Sequence, residues 1–363
     1  MTNIYTFAKR AAVAAFIVLL IGAGLFLLVM QFYFFLLVFA GILLAVLFSG
    51  MAQWLSSKLP LKRGWSLLLA VLIFFGLLVG AFLWVGPTIA EQGKQIRETL
   101  PQSLGEVEQW LQQYSWGEKV ADKLPEDLSK LMPKTSSLFS KVTGAVTTTL
   151  GILADLLVVI ITALFFASNP ELYTVGFTKL FPPRHRTRVL AVLHECYHTL
   201  KLWLLAMLSA MAIIGVSSAI GYSLIGLPMA FALALIAFLL AFVPNIGPWL
   251  AGIPAVLVGL TQGSQMALYV ILVYGGIQMI ETYLITPIIF QKTVALPPAL
   301  LLFFQVLLGL LQGGLGLLLA APILAVLMVL VKELYIKDVL EKDDAATGKW
   351  VKAGSAGNPE SKT

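Results

Sequence analysis

Charge is scarce throughout this sequence of 363 residues. Asp, Glu, Lys and Arg make up 12% of it, about half the share of an ordinary soluble domain. With 59% of its residues apolar, the chain has too little polar surface to clothe a water-soluble fold of this length. Cysteine is nearly absent: Cys196 stands alone, which excludes an intrachain disulfide and leaves the redox compartment unread. No glycine-rich phosphate cradle or Walker pattern occurs, which argues against ATP as the energy source. The formal net charge of +6 does not point to nucleic acid, because the basic excess sits in short loops between apolar runs.

What the sequence does have is long apolar runs. No Asp, Glu, Lys, Arg or His occurs from Ala11 to Ser57, Gly64 to Ala90, Leu156 to Pro170 or Leu202 to Ile280. A helix rises about 1.5 Å per residue, so about 20 apolar residues cross a hydrocarbon core about 30 Å thick. The last run alone has room for about three crossings. The first, through Ile17, Leu27, Phe35 and Leu47, lacks a cleavage site followed by polar sequence and reads as a retained anchor. Crossings are expected near 11–30, 32–51, 66–87, 143–168, 202–225, 229–260, 265–289 and 309–331. The fold class is therefore all-α: a polytopic membrane protein of about eight helices, with broken or re-entrant segments in its second half.

Basic residues orient these spans. Lys9 and Arg10 precede the first, and Lys58, Lys62 and Arg63 separate the second from the third, placing both segments in the cytoplasm. Lys179, Arg184, Arg186, Arg188 and Lys201 mark the next cytoplasmic loop, and Lys332 with Lys337 favours a cytoplasmic C-terminus. Four segments follow: three crossings in 1–90, an extracytoplasmic helical segment at 91–142, a membrane core at 143–335 with its loop at 169–201, and a cytoplasmic tail at 336–363. From Glu91 to Lys141 there are eight acidic and seven basic residues, with Leu100, Leu104, Val107, Leu111 and Tyr114 forming an apolar stripe. The Gly, Ala, Ser, Lys and Glu of the tail read as disordered. The alternative topology folds Phe231 to Leu260 as a re-entrant hairpin, with Leu296 to Leu308 dipping in similarly.

Ionisable groups at membrane depth are costly and mark candidate sites. Asp155 lies within the fourth span and Glu281 within the seventh. Tyr274, Gln278, Glu281 and Thr282 share one helix face by their three and four spacing. Asp155 and Glu281 can also be read as hydrogen-bonded packing residues. At Pro244, Asn245, Ile246, Gly247 and Pro248, two prolines remove backbone donors and a glycine loosens the chain, so the helix breaks there. Such breaks are tolerated where protein buries them or where they line a wet cavity, as in transporter binding sites, although a simple kink is the plainer reading. Pro287 and Pro297 make a second interruption. Gly309 with Gly313, and Gly316 with Ala320, form small-residue pairs suited to close helix packing. His194, Glu195 and His198 match HExxH, a zinc protease pattern. A third ligand would have to be His185 or a distant carboxylate, and a juxtamembrane helix explains the segment as well.

The order Pro244-Asn245-Ile246-Gly247-Pro248, Ile253-Pro254, Gln278-Met279-Ile280-Glu281, Pro287, Leu296-Pro297, Gly313-Gly314-Leu315-Gly316 and Ala321-Pro322 resembles the AI-2E transporter family. The match runs over roughly residues 150–335 and more loosely beyond; Leu202-Trp203 stands where the family often has Gly-Gln. The resemblance implies a homo-oligomeric protein of the bacterial inner membrane and no enzyme. It also implies export of a small polar molecule such as autoinducer-2, or exchange of sodium or lithium for protons. Asn245, Gln278, Glu281 and Asp155 are the expected pathway residues, and Pro244, Gly247, Pro248 and Pro287 shape the breaks. No metal and no cofactor is expected, and the intramembrane metalloprotease on His194, Glu195 and His198 is the alternative from another class.

Overall fold

A computed structural model of the chain describes residues 31–81, 145–290 and 296–341, with scattered positions at 12–30 and 83–87. The expected first span, the 91–142 segment and the tail beyond residue 341 therefore lie largely or wholly outside the described residues. Every regular element among the described residues is helical.

The first two, α1 (Phe32–Lys58) and α2 (Arg63–Ala81), are apolar nearly all round, as suits helices among lipid and protein rather than at a water boundary. The first ends at Leu59, which is extended because Pro60 follows it. Next comes α3 (Ala145–Ser168), which packs closely on α1: a Cβ placed on Gly41 would meet Thr162 Cβ at 2.6 Å. Buried Ala45, Phe48, Ala52, Ala70, Ala163 and Ala167 fill this three-helix contact. Lipid tails are as apolar as leucine, so close packing of small residues holds such helices together. At Asn169-Pro170 the chain turns by 85° into α4 (Pro170–Thr178).

The central element is α5 (Pro183–Leu224), 42 residues in one helix. It is about 63 Å long, roughly twice the hydrocarbon thickness, so its charged N-terminal half extends beyond the bilayer. The expected loop at 169–201 is thus not a loop: α4 and the first part of α5 occupy it, and the helix runs through Lys201 without interruption. Lys201 Nζ donates to Gln53 Oε1 at 3.0 Å, tying α5 to the end of α1.

After α5 the chain forms α6 (Ala230–Leu240) and α7 (Ile246–Leu260), of 11 and 15 residues. They are about 16 and 22 Å long, too short to cross singly. They do not continue one another. Residues seven apart on a straight helix are separated by about 10 Å along its axis, yet a Cβ on Gly247 would lie 1.9 Å from Leu240 O. The backbone folds back there, and only glycine fits. Gly252 of α7 then lies against Tyr274, whose ring is 6.3 Å from that of Tyr222 near the end of α5, so α7 returns toward the end from which α6 entered. Residues 229–260 therefore form a hairpin, as in the alternative topology, and not one continuous crossing helix.

From this hairpin α8 (Ser264–Ile280) continues through one wide π turn at Glu281–Ile285 into a short helix, Thr286–Phe290. The last element, α9 (Pro298–Leu330), breaks at Gly313 (φ 63, ψ −143). Residues eight apart should be separated by about 12 Å on a helix, but a Cβ on Gly316 would come within 2.1 Å of Leu308 O. This is a second hairpin, and it cuts through the expected crossing at 309–331. Gly313 and Gly316 serve that turn rather than a small-residue stripe on one straight helix.

Helical structure continues through Val331–Leu340, so residues 336–341, expected to begin the disordered tail, extend α9. Arg188 at the charged end of α5 binds Glu333 Oε2 at 3.0 Å and Asp338 Oδ2 at 2.9 Å. Lys337 and then Arg188 hold the Glu333 carboxyl below its ordinary value. From Glu333 back to Gly314 the helix rises about 28 Å. The turn at Gly313 therefore lies beside the middle of α5, and the two hairpins enter from opposite ends of that helix. By length and composition alone, five helices among the described residues could cross a membrane, or six if bent α3 and α4 form one span; the five include Pro298–Leu340, which the turn at Gly313 divides.

Candidate functional site

Where the hairpins and α8 converge there is a cavity of about 1220 Å³. Its walls are mostly apolar, with Trp203, Met207, Ile214 and Leu301 among them. Against that lining stand Asn245, Tyr274, Gln278, Glu281, Thr282 and Thr286. Three of the four expected pathway residues thus share one space, together with Pro244, Pro248 and Pro287.

The polar groups get there by local backbone chemistry. Pro244 and Pro248 have no N–H, so the helical ladder fails between α6 and α7. Asn245 takes φ 66 and ψ −49, and Ile246 N–H donates to Pro244 O at 2.8 Å, closing a strained three-residue γ-turn. Positive φ is rare outside glycine, and asparagine tolerates it better than most residues. Among the described residues only Met229 shares it without being glycine. Strain of this kind persists where the surroundings enforce it, which is common at binding sites. Here the Tyr274 hydroxyl donates to Pro248 O at 3.0 Å, and Gln305 Nε2 donates to Pro244 O at 2.8 Å.

On the opposite wall the π turn arranges the carboxylate. Pro287 cannot donate to the carbonyl one turn earlier, and Thr286 N–H reaches Glu281 O in a five-residue step. On a regular helix Glu281 and Thr286 would stand about 140° apart. The wide turn brings them together, and Thr286 Oγ1 donates to Glu281 Oε1 at 2.6 Å while Thr282 Oγ1 donates to Oε2 at 3.2 Å. Glu281 is half-buried. Gln278 Nε2 is buried beside the Tyr274 hydroxyl and makes no hydrogen bond of ordinary geometry among the described residues. The cavity is therefore lined by a carboxyl group, a glutamine whose buried nitrogen is unpaired among the described residues and a strained asparagine, within an apolar surround.

Asp155 is not part of this lining. Its carboxylate accepts the Tyr33 hydroxyl, joining α3 to α1. His194, Glu195 and His198 lie on an exposed face of α5, and the described residues contain no cluster of three His, Cys, Asp or Glu able to hold a metal ion. Two contributors escaped the sequence reading. Thr286 reaches Glu281 only through the π turn. Gln305 is the single amide between Pro298 and Leu311 and is fully buried; one polar residue in so apolar a run was the available signal.

Broken helices meeting at a mostly apolar cavity with a few polar groups, inside an apolar bundle, fit a multi-pass membrane transport protein. The chain belongs to the AI-2E family transporter family, whose profile matches residues 13–336. It is 27% identical over 304 residues to "Putative transport protein YueF" of Bacillus subtilis, covering 81% of this chain and 82% of that protein. The same printed description is given to YrrI of Bacillus subtilis, 25% identical over 80% of this chain and 83% of its own length. It is given too to MT0215 of Mycobacterium tuberculosis, 26% identical over 78% and 79%.

Proposed function

We propose that this protein is a secondary transporter that exports a small polar molecule of the autoinducer-2 type across the bacterial inner membrane, with both termini in the cytoplasm. The observation that carries this reading is the cavity in which the strained Asn245 turn faces Gln278 and Glu281. Asn245 and Gln278 bind uncharged hydroxyl groups by hydrogen bonds, and the Glu281 carboxyl oxygens accept from them. The apolar walls contact the substrate's carbon frame and exclude bulk water. The hairpin turns at Pro244–Pro248 and Gly313 shape the path, and movement of one hairpin against the other changes the side from which the cavity opens. Asp155 stays outside this path. The homo-oligomer implied by the family resemblance belongs to the same proposal.

Efflux from proteoliposomes loaded with autoinducer-2 tests it. The unmutated protein should accelerate efflux, and Glu281→Gln should lower the rate at least about ten-fold, the effect of losing about 1.4 kcal/mol of binding. No acceleration by the unmutated protein would sink the autoinducer-2 assignment. A second reading, exchange of sodium or lithium for protons, is favoured by the oxygen-only set of Glu281, Thr282 and Thr286. It requires sodium-dependent proton flux in the same vesicles, abolished by Glu281→Gln.

A further inference from the structure

The carbonyl of Pro244 lies at the break between α6 and α7. In an unbroken helix the residue four positions later would donate to it, but that residue is Pro248 and has no N–H. The γ-turn supplies Ile246 N–H at 2.8 Å, and Gln305 Nε2, from the first arm of the other hairpin, supplies a second donor at 2.8 Å. A carbonyl oxygen only accepts, so this contact fixes the orientation of the Gln305 carboxamide: nitrogen toward Pro244, oxygen away. Gln305 Oε1 in turn accepts from Asn245 Nδ2 at 3.4 Å. Asn245 therefore directs its nitrogen toward Gln305 and keeps Oδ1 for other partners, as an acceptor. Gln305 is fully buried on an otherwise apolar arm, where an unpaired carboxamide would be costly. Both of its ends are used, and both are used on the other hairpin.

We propose that Gln305 is a positioning residue for transport: it couples the turn of the first hairpin to the arm of the second and sets which face of the Asn245 amide the cavity receives. This rests on the transport reading of the cavity. With the bond in place, the γ-turn and the second hairpin move as one body, so opening of the cavity displaces both. Without it the turn moves independently, and the Asn245 amide can present either end.

Two measurements on full-length protein in lipid nanodiscs and proteoliposomes test this, in a Cys196→Ser background. Spin labels at Trp249→Cys and Phe303→Cys, both exposed positions, report the separation of the hairpins. With Gln305 present, a single narrow distance population is expected, and Gln305→Met should at least double its width. Gln305→Leu, which likewise lacks the amide donor but fills the space differently, should behave as Gln305→Met does, which guards against reading a packing defect. Asn245→Gly keeps the positive φ and the Gln305 contact to Pro244 O, so its distance population should stay narrow. Distance populations in Gln305→Met and Gln305→Leu equal to that of the parent would overturn the coupling.

The second measurement is autoinducer-2 efflux. Asn245→Gly and Gln305→Met should both raise the half-saturating concentration at least about five-fold, since both disturb the same acceptor. An unchanged value in Gln305→Met beside a raised one in Asn245→Gly would overturn the orienting role. The distance measurement needs no substrate, so absence of efflux by the unmutated protein defeats the transport assignment while the coupling is still judged on the labels.

Discussion

At the scale of single residues, the cavity depends on short side chains that hold a strained or charged partner in place. Thr286 is the clearest case, because its hydroxyl reaches the Glu281 carboxylate only across the π turn. Hydrogen bonds to charged groups contribute about 1.5–3 kcal/mol. Thr286→Val is accordingly expected to reduce efflux about ten-fold or more, and Thr286→Ser to retain most of it, in the proteoliposome assay. Asn245 combines two requirements, a positive φ and an amide able to bond with Gln305. Glycine at this position would meet only the first.

At the scale of elements, two hairpins and one π turn create the site, and each rests on an absent atom. Gly247 lacks the Cβ that would lie 1.9 Å from Leu240 O, and backbone cannot move aside as a flexible side chain can. Gly247→Ala should therefore destabilise the protein by about 1–3 kcal/mol or more, read as a lower melting temperature in detergent. Gly276→Ala, with open space around it, serves as the control and should show no loss. Pro287 lacks the N–H that would close a regular helical turn. Pro287→Ala restores it and should narrow the π turn, separating Thr286 from Glu281. In that background Thr286→Val should have little further effect on efflux, and a full additional loss would show that the wide turn does not depend on Pro287.

At the scale of the whole molecule, α5 is the shared reference: the hairpins enter from its two ends, and its charged extension is clamped to the end of α9. The clamp is Arg188 with Glu333 and Asp338, reinforced by Lys337 on Glu333. Because the Glu333 carboxyl is held below its ordinary value of 4.5, the folded state binds that proton less readily than the unfolded chain does. The clamp's contribution is therefore complete above about pH 5 and is lost as the pH falls through the lowered folded value. The melting-temperature difference between the unmutated protein and Glu333→Gln should be largest near pH 7 and shrink toward pH 4 and below. A difference that stayed constant across this range would show that Glu333 contributes no charge to stability.

Residence in a membrane and the all-helical class were legible in the sequence, because they follow from summed properties: charge-free length and hydropathy. The breaks at Pro244–Pro248 and Pro287 were legible for a similar reason, since proline removes a donor in any context. The common face of Tyr274, Gln278, Glu281 and Thr282 followed from helical periodicity. Three features were not legible. The chain reverses at Gly247 and at Gly313, and linear hydropathy is the same for a helix that crosses and for a hairpin that returns. Asp155 is no less apolar in its surroundings than Glu281, and packing against Tyr33 sets it apart from the cavity. The number of crossings, the partner of Glu281 five residues on and the grip of Gln305 on a carbonyl 61 positions away depend on contacts between distant segments, which come into existence only when the hairpins fold against α5 and α8.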